Sequence, residues 1–140
     1  AQYASYTTDT EKALSQVKLL ENENTFTIVT AHQPVLFTGP SYVIYKIISA
    51  IKTTQVLKEN HPDFDFIPVF ISGGEDHDFD EMDHTNLFGK SIVWSNDEEG
   101  SVARMSTKSL TTALEQLEQI LGNAPAAKEL FALIHQTHTS

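Results

Sequence analysis

The chain has 140 residues, 40% hydrophobic and 9% aromatic, so it can bury one domain-sized core and is not expected to be disordered. Nine basic against nineteen acidic residues give a formal charge of −10, which argues against nonspecific binding to nucleic acid. The absence of cysteine excludes disulfides and a cysteine nucleophile. Because the sequence lacks a membrane-span pattern and a signal-peptide pattern, we predict a cytoplasmic protein without a membrane partner.

The first predicted elements are a short helix and a βαβ unit. Thr8–Glu11 has the spacing of a capping box and is followed by an apolar helical face. Thr25–Thr30 and Phe66–Ile71 are rich in β-branched or aromatic residues and are typical of strands. Between them, Ser41–Asn60 has the periodicity of a helix with one broad face of isoleucines. We therefore predict a right-handed βαβ unit, about residues 25–72, with parallel strands.

The second half of the chain predicts one more strand and two helices. Ser91–Ser95 is a short third strand candidate, and Val102–Ser109 is expected to be a loop and a helix cap. Leucines at helical spacing predict a helix that reaches Leu121, and Pro125 begins a last helix; together these cover about residues 109–136. Three strands make a narrow sheet, so we expect one partial α/β domain, residues 1–140, belonging to a larger protein.

The first candidate functional segment is the loop that follows the first strand, residues 31–40. In an open α/β sheet, ligands bind beyond the carboxyl ends of the strands, and the start of the next helix favours phosphate or carboxylate. Gly39 permits close approach, Thr38 can donate a hydrogen bond and Gln33 can present its amide. His32 could serve in acid–base chemistry. The alternative is a plain helix cap with a hydrogen-bonded loop histidine.

The second candidate segment follows the second strand and crowds carboxylates around His77 and His84: Glu75, Asp76, Asp78, Asp80, Glu81 and Asp83. These groups repel one another unless a divalent metal, a substrate ammonium or a basic side chain lies near. The spacing matches neither an EF-hand nor a zinc signature. A solvated acidic loop is the structural alternative, and the preceding Gly73-Gly74 pair favours a functional one.

Taken together, the two segments and the helix between them resemble the bacillithiol biosynthesis cysteine-adding enzyme family, whose proposed activity is that of a cysteine ligase. Three groups of residues carry the resemblance: Ala31-His32-Gln33 with Thr38-Gly39-Pro40, Tyr42–Lys46 with Ile48–Lys52, and Glu75–Phe79 with Asn86. The resemblance covers about residues 28–87. Family members are much longer, so it implies that this chain is the N-terminal part of the core and lacks a later coiled-coil that would form a homodimer.

The resemblance implies a Rossmann-like core, similar to class I synthetases and nucleotidyltransferases. It also implies that cysteine is joined to the amino group of glucosaminyl malate, with ATP and Mg²⁺ proposed for activation. Under it, the catalytic residues are Asp76, His77 and Asp78, and no metal ligand is assigned. The substrate-binding residues it implies are His32, Gln33, Thr38, Gly39, Glu75 and Arg104.

The proposed reaction is chemically consistent with these residues. Amide formation needs an electrophilic carboxylate and a neutral amine, and Asp76, His77 or Asp78 could orient the incoming ammonium and remove its proton. The isolated fragment is expected to be inactive. Two alternatives stay open: a metal-dependent hydrolase that uses Asp76, His77, Asp78 and His84 as ligands, and a noncatalytic ligand-binding module.

Overall fold

The computed structural model describes residues 10–138, and contacts divide the chain into two compact units. Unit 1 comprises Ala1–Ala31 and Tyr45–Ile71, and unit 2 comprises His32–Ile44 and Ser72–Ser140. The division cuts through β1, β2 and the helix between them. The expectation of a single domain stays a prediction.

Unit 1 holds the N-terminal helix and most of the βαβ unit. The elements are α1 (Thr10–Leu19), β1 (Thr25–His32), α2 (Ser41–Asn60, which begins in unit 2) and β2 (Asp65–Ser72). The helix α2 has the bounds predicted from its periodicity. Of the capping box, Thr8 and Asp9 lie outside the described residues.

The strands β1 and β2 are hydrogen-bonded neighbours in a two-stranded sheet. The Asp65 N–H donates to the Asn24 carbonyl at 3.0 Å, and the Gly73 N–H donates to the His32 carbonyl at 2.9 Å. From the first pair to the second, both strands advance in the same direction, so they are parallel as the βαβ pattern predicted.

The part of α2 in unit 1 is buried along a narrower stripe than its isoleucines predicted. Ala50 and Thr54 are buried, whereas Ile48 and Ile51 are 53% and 42% exposed. Two strands can cover only part of one side of a 20-residue helix. Much of the predicted apolar face therefore remains open in this unit.

Besides the start of α2, the described part of unit 2 contains an antiparallel hairpin and three α-helices, named in chain order: α3 (Phe79–Met82), β3 (His84–Leu87), β4 (Lys90–Val93), α4 (Thr111–Leu121) and α5 (Pro125–His138). The predicted third strand forms as β4, but its expected place in the parallel sheet is wrong. It pairs with β3, with His84 opposite Val93. The connection has only two residues, which permits antiparallel pairing alone.

The core of unit 2 lies between the hairpin and the two C-terminal helices. Ile92 and Leu110 are fully buried, and the Trp94 Nε1–H donates to the Ser109 hydroxyl at 2.7 Å. The predicted loop of residues 102–109 contains two 3₁₀ turns, the first of which buries Val102. Within residues 10–138, no helix combines the length and the apolar character that crossing a bilayer requires.

Candidate functional site

The two candidate segments begin side by side in unit 2, where β1 and β2 end. The Gly73 N–H donates to the carbonyl of His32, and a Cβ built on Gly73 would lie 3.6 Å from the Cα of Gln33. This adjacency follows from parallel pairing, because both carboxyl ends meet at one sheet edge. Polar side chains of both segments therefore emerge from the same region.

Gln33 connects the first segment to α3. Its Nε2–H donates to the Glu81 Oε2 at 2.8 Å. A carboxylate oxygen can only accept here, so the atom facing it must be the amide nitrogen rather than the amide oxygen. Within residues 10–138, the Gln33 Oε1 has no hydrogen-bond donor.

His32 is held at both ring nitrogens. Its Nδ1 lies 2.9 Å from the Gln33 carbonyl, and its Nε2 lies 2.8 Å from the Tyr42 hydroxyl. Because a carbonyl can only accept, Nδ1 carries the proton in the neutral ring, and Nε2 accepts from Tyr42. Both nitrogens are thus engaged within the protein, and the ring orients the start of the first segment.

The acidic segment is shaped by its own backbone and by the turn at Val102. The Asp76 N–H donates to the Gly73 carbonyl at 3.2 Å, and the Asp76 carbonyl accepts from the Val102 N–H at 2.9 Å. The Asp76 carboxylate accepts from the Asp78 N–H at 3.1 Å. These bonds fix the loop and leave further acceptor capacity on the carboxylate.

Gly74 packs closely on the segment of residues 101–104. Its carbonyl accepts from the Ala103 N–H at 3.1 Å and from the Ser101 hydroxyl. A Cβ at Gly74 would lie 2.5 Å from the Cβ of Ala103, so only glycine fits. Arg104 follows directly with an exposed side chain, which places the predicted arginine on the segment that supports the acidic loop.

The side chains of Glu75, Asp76, His77 and Asp78 are exposed. Within residues 10–138, no three His, Asp or Glu side chains lie close enough together to hold one metal ion. The His84 Nδ1 instead lies 2.7 Å from the Asp83 carboxylate. The ligand set of the hydrolase alternative is therefore not assembled in this part of the chain.

Thr38 and Gly39 line a different cavity of unit 2, which none of the other predicted site residues lines. Its volume is about 270 Å³, and its walls come from the start of α2, from the hairpin, including Asn86, and from apolar residues of α4 and α5. Phe37, Thr38 and Gly39 have φ values of 47°, 75° and 60°. A Cβ at Gly39 would lie 2.7 Å from the Val35 side chain, so this turn requires glycine.

Glu81 and Tyr42 are not among the predicted site residues, but each contacts one that is. Glu81 belongs to the acidic run, but its partner Gln33 lies 48 residues away, and such a contact leaves no local sequence pattern. Tyr42 lies in the segment that carries the family resemblance, and its spacing of ten residues from His32 crosses a loop. The resemblance was the one signal that pointed toward Tyr42.

Comparison with known proteins gives a consistent result. The family model described as "Bacillithiol biosynthesis BshC, N-terminal Rossmann-like domain" matches residues 1–140. A Flavobacterium psychrophilum protein is 44% identical over 93% of this chain and 25% of its own length, and a Flavobacterium johnsoniae protein is 43% identical over 87% and 23%. A Christiangramia forsetii protein is 39% identical over 92% and 24%.

Each of these relatives carries the name "Putative cysteine ligase BshC". The chain spans about a quarter of the length of the curated relatives it matches. The predicted family and the predicted Rossmann-like α/β fold class are both confirmed, and the chain belongs to the bacillithiol biosynthesis BshC family, whose N-terminal Rossmann-like domain it matches.

Proposed function

We propose that this chain contributes part of the active site of a cysteine ligase that joins cysteine to the amino group of glucosaminyl malate. Family membership and the relatives' printed name support the ligase class. The observation that carries the proposal is the adjacency of the loops that follow β1 and β2. Gly73 is hydrogen-bonded to His32, and Gln33 is hydrogen-bonded to Glu81. The side-chain amide of Gln33 and the carboxylates that follow β2 thereby lie in one region of unit 2.

The net reaction forms a C–N bond between the amine nitrogen and the carboxyl carbon of cysteine and breaks one carboxyl C–O bond. The departing oxygen takes up the two protons that the ammonium nitrogen loses and leaves as water. The amine arrives as an ammonium and must lose a proton before it attacks. Asp76, His77 and Asp78 are exposed side chains with acceptor atoms, suited to orient the ammonium and take that proton. We assign them this catalytic role, and we assign substrate binding to Gln33, Glu75 and Arg104.

ATP with Mg²⁺ is the activating co-substrate that the family resemblance suggests. The residues after β2 do not fit a triphosphate, because they are mainly carboxylates and repel its charge. The start of α2, beside Thr38 and Gly39, favours an anion. The proposal derives no reaction step through ATP, and it assigns Thr38 and Gly39 to the anionic part of a substrate.

The test is the substitution Asp76→Asn in a full-length protein that carries this chain. Asparagine keeps an oxygen that can accept from the Asp78 N–H, but it removes the charge and the basic group. We expect the rate of condensation of cysteine with glucosaminyl malate to fall by about 10²-fold or more, since general base catalysis contributes about that much. The product is quantified by chromatography after thiol labelling.

The matched control is Asp97→Asn, which makes the same chemical change at an exposed acidic residue after β4. This variant should retain the parent rate. An unchanged rate in Asp76→Asn would contradict the catalytic role of the acidic segment and would favour the noncatalytic alternative.

A further inference from the structure

The cavity beside Gly39 in unit 2 has a polar rim and an apolar floor. Its rim is formed by exposed polar residues, which are Thr38, Ser41 and Asn86. Its floor consists of buried apolar residues, which include Phe37, Leu117 and Ile134. A cavity of about 150 Å³ between apolar side chains can bind benzene. The volume of about 270 Å³ therefore accommodates a molecule somewhat larger than benzene.

Thr85 places a hydroxyl group on this floor. The residue lies on β3, is 9% exposed and lines the cavity. Between residues 10 and 138, no group forms a hydrogen bond with its hydroxyl. Two other unpartnered polar atoms of the described chain, on Thr25 and Asn96, are enclosed on all sides, and the Thr85 hydroxyl is not. Because buried hydroxyls are normally hydrogen-bonded, the cavity is the place for a ligand that supplies the missing partner.

The rim is suited to the charged groups of a ligand. The N–H groups in the first turn of a helix have no partner within the helix and carry the positive end of its dipole. Ser41 is the first residue of α2, a helix of 20 residues, so a carboxylate at the rim can accept from its N–H. The Thr38 hydroxyl can add a further donor, and the Asn86 amide oxygen can accept from an ammonium.

We propose that this cavity binds cysteine, with its carboxylate at the start of α2 and its thiol on the floor beside Thr85. This inference rests on the proposed function and gives one of the two substrates a binding place. Both substrates carry an amine and a carboxylate, so the floor makes the distinction. A thiol behaves as a small apolar group with a weak S–H donor, which the Thr85 oxygen can accept. Glucosaminyl malate is far larger, and its sugar hydroxyls would lose their hydration on the apolar floor.

The first experiment is Thr85→Val in a full-length protein that carries this chain. Valine keeps the branched shape and removes the hydroxyl. We expect KM for cysteine to rise about threefold or more, as for a lost hydrogen bond, and KM for glucosaminyl malate to stay within about twofold. Stability in urea should be unchanged or higher, because an unpartnered buried hydroxyl is removed. A less stable variant with an unchanged KM for cysteine would show a structural role alone and would overturn the inference.

Thr85→Ser is the conservative variant, and Thr112→Val is the matched control. Serine keeps the hydroxyl and loses a methyl group, so KM for cysteine should stay near the parent value although stability falls. Thr112 is exposed on α4 and does not line the cavity, so its replacement by valine should change neither KM. A rise of both KM values together in Thr85→Val would contradict the assignment to cysteine.

Calorimetric titration of the full-length parent protein tests the two ends of the ligand. Cysteamine lacks the carboxylate and should bind about tenfold more weakly than cysteine, or worse, as for a lost hydrogen bond to a charged group. Alanine lacks the thiol and should bind about threefold more weakly or worse. Equal binding of alanine and cysteine would overturn the inference.

Binding and condensation are measured separately, so the two proposals can fail separately. If the parent protein does not condense cysteine with glucosaminyl malate, the proposed function fails. If the parent protein does so and Thr85→Val matches it in both the affinity and the KM for cysteine, the inference alone fails.

Discussion

A single pair of residues, Gly74 and Ala103, sets how closely the acidic loop approaches the segment that supports it. The two are joined by a backbone hydrogen bond of 3.1 Å, and the Ala103 methyl group occupies the space where a Cβ of residue 74 would lie. The neighbouring Gly73 differs, because a Cβ there would make an ordinary contact with Gln33 at 3.6 Å. Adjacent glycines therefore have different tolerance for substitution.

We expect Gly74→Ala to lower the free energy of unfolding by about 1–3 kcal/mol, as overpacking does in dense regions. The measurement is urea denaturation followed by tryptophan fluorescence, since Trp94 lies in the core of unit 2. Gly73→Ala is the control and should cost far less.

Adding Ala103→Gly to Gly74→Ala removes the opposing methyl group and should restore most of the lost stability. If the double variant is no more stable than Gly74→Ala, the clash with Ala103 is not the cause.

Sequence patterns indicate which loops lie at the same edge of a sheet, but they do not indicate which side chains of those loops contact each other. Parallel pairing of β1 and β2 predicts that the loops after these strands meet, and this places Gln33 near the acidic segment. The contact of Gln33 with Glu81 is not predictable in this way, since a one-turn helix at Phe79–Met82 determines where that carboxylate points. The role assigned to each site residue stays a prediction until the variants are measured.

At the scale of elements, the hairpin of β3 and β4 is the part of the fold that the sequence analysis misplaced. Its two-residue loop, Phe88 and Gly89, has φ values of 52° and 76°. Positive φ at both positions is required by a type I′ turn, for which Asn-Gly is the favoured pair. Phe-Gly is a weak signal for this turn, so the sequence alone does not predict that Ser91–Ser95 pairs with β3 rather than with the parallel sheet.

We expect Phe88→Asn to stabilise unit 2, because asparagine tolerates the left-handed conformation and Phe88, at 80% exposed, loses little packing. A gain of about 1 kcal/mol corresponds to a rise of roughly 2–8 °C in Tm. Scanning calorimetry measures it.

Phe88→Val is the opposite variant, since a β-branched residue disfavours positive φ, and it should lower Tm. A lower Tm for Phe88→Asn than for Phe88→Val would contradict the assignment of the turn.

Local signals explain why other elements were predicted well. Pro40 and the His61-Pro62 pair mark the two ends of α2, and Gly122, with φ of 73°, ends α4. The exposed side of α2 was not predictable in this way. Which isoleucines are buried depends on how many strands the helix covers, and that number is a property of the whole sheet.

At the scale of the whole molecule, the chain matches about a quarter of its relatives' length and leaves large apolar side chains exposed in unit 1. Ile48 and Ile51 lie on α2, and Val29 and Ile71 lie on the two strands. Apolar surface of this kind commonly marks contact with further protein. The predicted homodimer and cytoplasmic location stay predictions.

We expect the 140-residue chain expressed alone to be inactive as a ligase and to self-associate at micromolar concentration. Replacing Ile48 and Ile51 by lysine should reduce the association, which sedimentation velocity measures. Thr53→Lys introduces the same residue at an exposed polar position of α2 and serves as the control. A monodisperse, active parent chain would contradict this expectation.

Val102 contacts both the core of unit 2 and the acidic loop. Its side chain is buried in the core of unit 2, while its N–H donates a hydrogen bond to the carbonyl of Asp76. Repacking the interior around this residue would therefore shift the acidic loop without altering any group that faces a ligand. To change which amine substrate the proposed ligase prefers, interior positions such as Val102 and Met105 can thus be randomised while the carboxylates are left intact.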